Sequence, residues 1–202
     1  MKEIILASGS PRRRELMELG GLTFRVVPAV GEEKTKAVLP GDIVEHLARH
    51  KAEEVFSLYP DKLIIGADTI VWAGGRVLGK PSNKDEARNM ISLLQGKTHE
   101  VYTGVALSWT DEAGEHHCET FHEKTEVICY PMTAAEEEAY INTDEPYDKA
   151  GGYAIQGGFA RYVQAIRGDY YTVMGLPLAR LYQELKTRRL LSEEKSEAVE
   201  SI

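Results

Sequence analysis

Cysteine is scarce in this 202-residue chain: only Cys118 and Cys129 are present, and neither lies in a C-x-x-C metal spacing. That excludes a disulfide scaffold, and two reduced thiols are expected. Long apolar runs are missing too, with nothing near the roughly 18 residues needed to span a bilayer. The opening Met1–Ala7 is too short for a secretory hydrophobic region and turns polar at Ser8. No membrane partner and a cytoplasmic location are therefore expected. Basic charge is in deficit, with 24 Lys and Arg against 32 Asp and Glu. A net charge of −8 argues against a nucleic-acid partner, which needs a basic field. A small anionic ligand stays open, because a few local cations can outweigh the global sign.

What is present reads as interleaved strands and helices. Lys2–Ala7 is a short apolar run followed by Ser8-Gly9-Ser10-Pro11 and a helical pattern to Leu19. Ser10 suits the N-cap, Pro11 the first helical position, and Gly20-Gly21 the exit. Thr23–Val30 reads as a strand, Asp42–Tyr59 as a helix stopped by Pro60, and Leu63–Trp72 as a strongly apolar strand turning at Ala73-Gly74-Gly75. Ser82 is expected to cap a helix from Lys84 to Leu94, ended by Gly96. His99–Trp109 and Thr120–Cys129 read as strands of one long hairpin. Thr133 and Glu136 form a capping box for a helix to about Asn142. Phe159–Ile166 and Tyr170–Val173 read as a hairpin about Gly168-Asp169, and a last helix runs from Pro177 to about Leu190. This pattern predicts an α/β chain with a mixed sheet. The charged segment 191–202 is expected to be disordered.

The densest chemical signal is Ala7-Ser8-Gly9-Ser10-Pro11-Arg12-Arg13-Arg14. A helix N-terminus offers unpaired N–H groups and partial positive charge, so it binds anions. Arginines in its first turn oppose the dipole by roughly 0.3–1 kcal/mol each unless an anion sits between them. Arginine's planar fork matches phosphate oxygens. A solvated basic helix face is the competing account, and Ser8-Gly9-Ser10 favours phosphate. Asp68 lies inside an otherwise apolar strand, where a carboxylate is costly unless paired or bound to metal. A solvated strand end is the alternative there.

Lys80, in Gly79-Lys80-Pro81, and the pair Glu32-Glu33 are ordinary surface features taken alone, although two acids could bind a hard cation. His116-His117-Cys118 with His122 invites a zinc reading, but strand alternation spreads those side chains over both faces. No metal site is expected there. The stretch 151–158 lacks both the G-x-G-x-x-G and the Walker lysine patterns, and reads as a flexible loop carrying Gln156.

Taken together, Ser8-Gly9-Ser10-Pro11-Arg12-Arg13, Gly66-Ala67-Asp68-Thr69, Gly79-Lys80-Pro81, Asp148–Gly157 and Gly175-Leu176-Pro177-Leu178 resemble the Maf family of nucleotide pyrophosphatases. The five motifs run in order across nearly the whole chain, with Gly152 a mild variant. The resemblance implies an inosine-triphosphatase-like fold: a long, twisted mixed β-sheet with flanking helices forming two lobes around a central cleft, all within residues 1–190. It implies hydrolysis of the α–β phosphoanhydride of a nucleoside triphosphate with a divalent cation, magnesium or manganese, and a homodimer. It casts Asp68 as proton acceptor and metal ligand, Glu33 as a further metal ligand, and Ser8, Ser10, Arg13, Lys51 and Lys80 as phosphate contacts. Arg12, Thr69 and Gln156 fall where the branches differ. The branch acting on 7-methyl-GTP carries tryptophan, glutamine and glutamate there, so this chain resembles the dTTP/UTP branch. A regulatory nucleotide-binding protein acting on septum formation and a nucleotidyltransferase are the rival readings.

Overall fold

Strand β1 (Ile4–Leu6) leads into helix α1 (Pro11–Leu19) and strand β2 (Phe24–Val26) in the computed structural model, which describes residues 2–32 and 34–191. Helix α2 (Pro40–Leu58) precedes the long strand β3 (Leu63–Ala73) and the short β4 (Arg76–Leu78). Helix α3 (Lys84–Leu94) is followed by the long hairpin β5 (Thr98–Thr110) and β6 (His116–Cys129). Helix α4 (Ala134–Ile141), three short three-ten segments, strand β7 (Val163–Arg167), helix α5 (Tyr170–Met174) and helix α6 (Leu178–Thr187) complete the chain. Glu33 and the tail from 192 to 202 lie outside the described residues. No helix among the described residues is long and apolar enough to cross a membrane.

The sheet is mixed and has seven strands among the described residues. Its order is β2-β1-β3-β5-β6-β7, with β4 paired to β3. β1 runs parallel to β2 and β3, and every other pairing is antiparallel. Alternation along the strands sends residues to opposite faces. Ile4, Leu6, Leu63 and Ile65 join a core with Leu16, Leu181 and Leu185, whereas Ile5 and Ile64 pack with Ala48, Ala52 and Val55 of α2. A separate core around Ile91, Leu94, Ile141 and Phe159 packs beneath α3 and α4.

Helix α2 lies unusually close to the sheet, and glycine permits it. A Cβ at Gly66 would stand 2.3 Å from the Ala48 carbonyl, and one at Gly104 would stand 2.4 Å from backbone atoms of Val44. No other residue type fits either position without moving the helix. The close approach sets how far a side chain on α2 must reach to meet β3.

Several local expectations are corrected. β2 spans three residues rather than Thr23–Val30, because β1 offers only three partners and Pro28 lacks an N–H. The cap of α3 is Asn83, whose side chain accepts from Glu86 N at 2.9 Å, one residue beyond Ser82. Ser10 stands at the N-cap of α1 but makes no side-chain cap hydrogen bond. Residues Tyr170–Met174 form a helix, not a strand: Asp169 accepts from Thr172 N at 2.6 Å and caps it. The glycine-rich stretch is packed rather than loose. Gly151 through Ile155 are buried, and Glu145 accepts from Gly158 N at 2.6 Å and Phe159 N at 3.3 Å to anchor the segment.

Candidate functional site

The edge of β3 splits in its middle. Ile4–Leu6 pair with Leu63–Ile65, and Arg76–Leu78 pair with Val71–Ala73. Between them, residues 66–70 have β5 on one side and no strand among the described residues on the other. β1 turns away at this gap into Ser8-Gly9-Ser10 and the start of α1, and a cleft of about 360 Å³ opens. A second hollow of about 380 Å³, lined by Ala7 to Arg13, shares Ser10, Arg12, Arg13, Lys51, Lys80 and Asp148 with it. The two are halves of one groove. Local sign decides what it suits: among the described residues, Arg12, Arg13, Lys51, Lys80 and Lys149 line it with two carboxylates, Asp68 and Asp148. An acidic protein thus carries a positive groove at a helix N-terminus, the arrangement that binds phosphate.

Arg13 ties three distant segments together. Its Nε donates to the Gly175 carbonyl at 2.8 Å, Nη1 to Ser8 Oγ at 3.0 Å, and Nη2 to Thr69 Oγ1 at 3.2 Å. A fork held on three sides has lost its rotamer freedom before any ligand arrives. Ser8 Oγ also accepts from Ser10 N at 3.3 Å, which shapes the turn. Ser8 is buried, while Ser10 is partly exposed along the groove.

Asp68 and Lys51 meet from opposite elements. Asp68 shares the face of β3 used by Ile64 and Gly66, the face on which α2 rests. Lys51 follows Val44 and Ala48 at helical spacing, so it points at the sheet. Its Nζ donates to Asp68 Oδ1 at 2.6 Å, with side-chain exposures of 13% and 10%. So dry a carboxylate is tolerable because the ammonium pairs it. Thr69, next in the strand, points to the other face yet also lines the groove.

Lys80 is exposed and borders both halves, carried there by β4. Its loop is tied across the groove by Gly151 N donating to the Gly79 carbonyl at 3.0 Å. Gln156 is exposed and lines the cleft, whose lining also includes the apolar side chains of Ile70, Val71 and Val101 and the ring of Tyr153. Ser8, Ser10, Arg12, Arg13, Lys51, Asp68, Thr69, Lys80 and Gln156 all therefore border one groove.

The family model described as Maf-like protein matches residues 3–188. This chain belongs to the Maf-like family. The dTTP/UTP pyrophosphatase of Bacillus cereus (strain G9842) is 52% identical over 187 residues, covering 92% of this chain and 95% of its own length. That of Bacillus cereus (strain ATCC 10987 / NRS 248) is 53% identical, covering 92% of this chain and 90% of its own. The solved structure of the Staphylococcus aureus Ham1 protein aligns with 93% of this chain and 100% of its own, at 13% identity and a TM-score of 0.49.

Two groove residues of this Maf-like chain went without a role in the sequence reading, although both lie in the motif beginning at Asp148. Burial acts to raise the Asp148 carboxyl, but the hydrogen bond and charge of Lys149, with Arg12 nearby, outweigh it and hold the acid below its ordinary range. Asp68 and Asp148 bring carboxylate oxygens to the groove, the donor type that hard divalent cations take. A different trio, Asp111, Glu115 and His117, has ligand atoms within 4.8 Å of one another, but none of the three borders the groove. Its geometry is that of a turn: Asp111 Oδ1 accepts from Ala113 N and Glu115 N, and Oδ2 meets His117 Nε2 at 2.9 Å. His116 instead stacks on Phe56 and bonds Ser108, and His122 bonds Glu45. Both cysteines are free.

Proposed function

We propose that the groove binds the triphosphate of dTTP or UTP and that the chain hydrolyses it to the nucleoside monophosphate and pyrophosphate. The observation that carries this reading is the convergence of Arg13, Lys51, Lys80 and the α1 N-terminus on the groove that Asp68 also borders. The names borne by the Bacillus relatives supply the pyrimidine preference.

Phosphoryl transfer needs alignment and charge neutralisation more than covalent help. Arg13, held on three sides, and Lys80 hold phosphate oxygens in fixed directions, with Ser8 and Ser10 lining the turn beneath. Asp68 orients the attacking water and accepts its proton. Lys51 holds Asp68 in place and contributes positive charge beside the phosphates. A divalent cation, magnesium or manganese, held by Asp68 with Asp148, and with Glu33 in the role the family resemblance gives it, would add charge neutralisation at the phosphate oxygens.

Gln156 has both a donor and an acceptor and pairs with the pyrimidine edge, while Thr69 and Arg12 flank the nucleoside. Such a site leaves polar groups unpaired when the wrong base enters. Residues 1–190 work as one two-lobed domain in the cytoplasm, as a homodimer without nucleic-acid or membrane partners.

The test is a nucleotide panel with magnesium or manganese, scoring pyrophosphate separately from orthophosphate. Pyrophosphate from dTTP and UTP, abolished by a chelator, supports the reading. Orthophosphate alone refutes it.

A further inference from the structure

A buried hydroxyl stands two hydrogen bonds from Arg13 without bordering the groove. Thr103 is fully buried, and it lines neither half of the groove. Its Oγ1 donates to the Thr172 carbonyl at 2.7 Å. A carbonyl oxygen only accepts, so the one hydroxyl proton of Thr103 is committed there. Thr69 Oγ1 lies 2.9 Å from Thr103 Oγ1. With no proton left on Thr103, Thr69 must be the donor of that bond. On its other side Thr69 meets Arg13 Nη2 at 3.2 Å, and a guanidinium only donates. Every bond in the chain therefore points the same way, from Arg13 through Thr69 and Thr103 to the carbonyl.

We propose that Thr103 is a positioning residue: by taking the Thr69 proton it fixes the Thr69 oxygen as an acceptor, and so holds Arg13 at the angle in which it meets phosphate. A hydroxyl without such a commitment rotates and can turn its proton toward the guanidinium, setting donor against donor. Helix α5 anchors the arrangement twice. Its Thr172 carbonyl ends the relay, and the Gly175 carbonyl just beyond it takes Arg13 Nε at 2.8 Å. Asp169 pins the start of that helix through Thr172 N at 2.6 Å and Thr172 Oγ1 at 2.8 Å.

This inference rests on the groove being a triphosphate site, and its test separates the two. Thr103→Val, Thr103→Ser, Thr69→Val and the Thr69→Val/Thr103→Val double variant are compared in kcat and KM for UTP, and in affinity for inorganic pyrophosphate. Thr103→Ala takes the place of Thr103→Val if the valine variant does not fold. Loss of one hydrogen bond to a charged arrangement predicts a drop of about tenfold in pyrophosphate affinity and in kcat/KM for Thr103→Val, with an unchanged far-UV circular dichroism spectrum. Thr103→Ser restores both, and the double variant is no worse than Thr69→Val alone. Additive losses in the double variant, or unchanged pyrophosphate affinity in Thr103→Val, overturn the relay. A wild-type chain that turns over no nucleotide refutes the hydrolase reading instead, and the binding cycle, which needs no turnover, still decides the role of Thr103.

Discussion

Lys51 on helix α2 donates to Asp68 on strand β3 at 2.6 Å, and both residues line the groove. Seventeen positions separate the two residues along the chain. The pairing depends on α2 lying flush against the sheet, so chemistry and packing are coupled at this point.

Asp68→Asn keeps the size of the side chain and still accepts from Lys51, but it cannot take a proton from water. Turnover of UTP should fall by about 10²-fold or more, within the range set by positioned general bases. Affinity for UTP should stay within a few-fold of wild type, measured by calorimetry. A variant that retains turnover would remove Asp68 from the chemistry.

Arg13→Lys preserves charge and discards the fork. One ammonium cannot reach the Gly175 carbonyl, Ser8 Oγ and Thr69 Oγ1 in the directions the guanidinium uses. We expect kcat/KM for UTP to drop about 10–100-fold, because arginine and lysine are not interchangeable at a multidentate site. Full activity in the lysine variant would mean that charge alone suffices.

Gly66→Ala tests the coupling of packing to chemistry. Its Cβ would meet the Ala48 carbonyl at 2.3 Å and Ala52 N at 2.9 Å, so α2 must lift. Overpacking of this kind costs about 1–3 kcal/mol, sometimes more. Thermal unfolding should show that loss, and turnover should fall further than stability explains because Lys51 moves with the helix.

His99 carries a pH dependence of stability. Burial pushes it down to about 4 from an ordinary 6.5, and its Nε2 meets Tyr153 OH at 2.6 Å. Between those values the unfolded chain binds the proton that the folded chain refuses. Stability is therefore fully present above about pH 6.5 and falls as pH drops toward 4, by about 3 kcal/mol in all. Urea unfolding of wild type against His99→Gln should show a shallower slope in the variant across that window.

The sequence alone made the long elements legible. The apolar run ending in Trp72 and the helical spacing of Ile43, Leu47, Ala48, Val55 and Leu58 mark β3 and α2, since both are long and strongly periodic. Short elements were harder. Tyr170-Tyr171-Thr172-Val173 has strand-like residues, yet Asp169 caps it as a helix; the local cap outweighed propensity. Thr23–Val30 reads as eight apolar-rich positions, but pairing stops where β1 stops. In the groove, the Ser8–Arg13 turn and Asp68 stood out by residue type and position, whereas Lys51, Thr69, Lys80 and Gln156 gained a role only through the family resemblance. The hydrogen bond from Arg13 to Gly175, 162 positions away, left no trace in either local segment. Thr103 looks like one more polar position in a strand, and only the directions of its bonds set it apart.

The central claim is that one groove holds the whole nucleotide, phosphates at the α1 end and base at the Gln156 end. A crystal structure of the Asp68→Asn variant with UTP and magnesium tests it most directly. The account predicts phosphate oxygens against Arg13 and Lys80 beside the Ser8–Ser10 turn, with uracil at Gln156. A nucleotide bound elsewhere, or one whose triphosphate leaves Arg13 untouched, would contradict it.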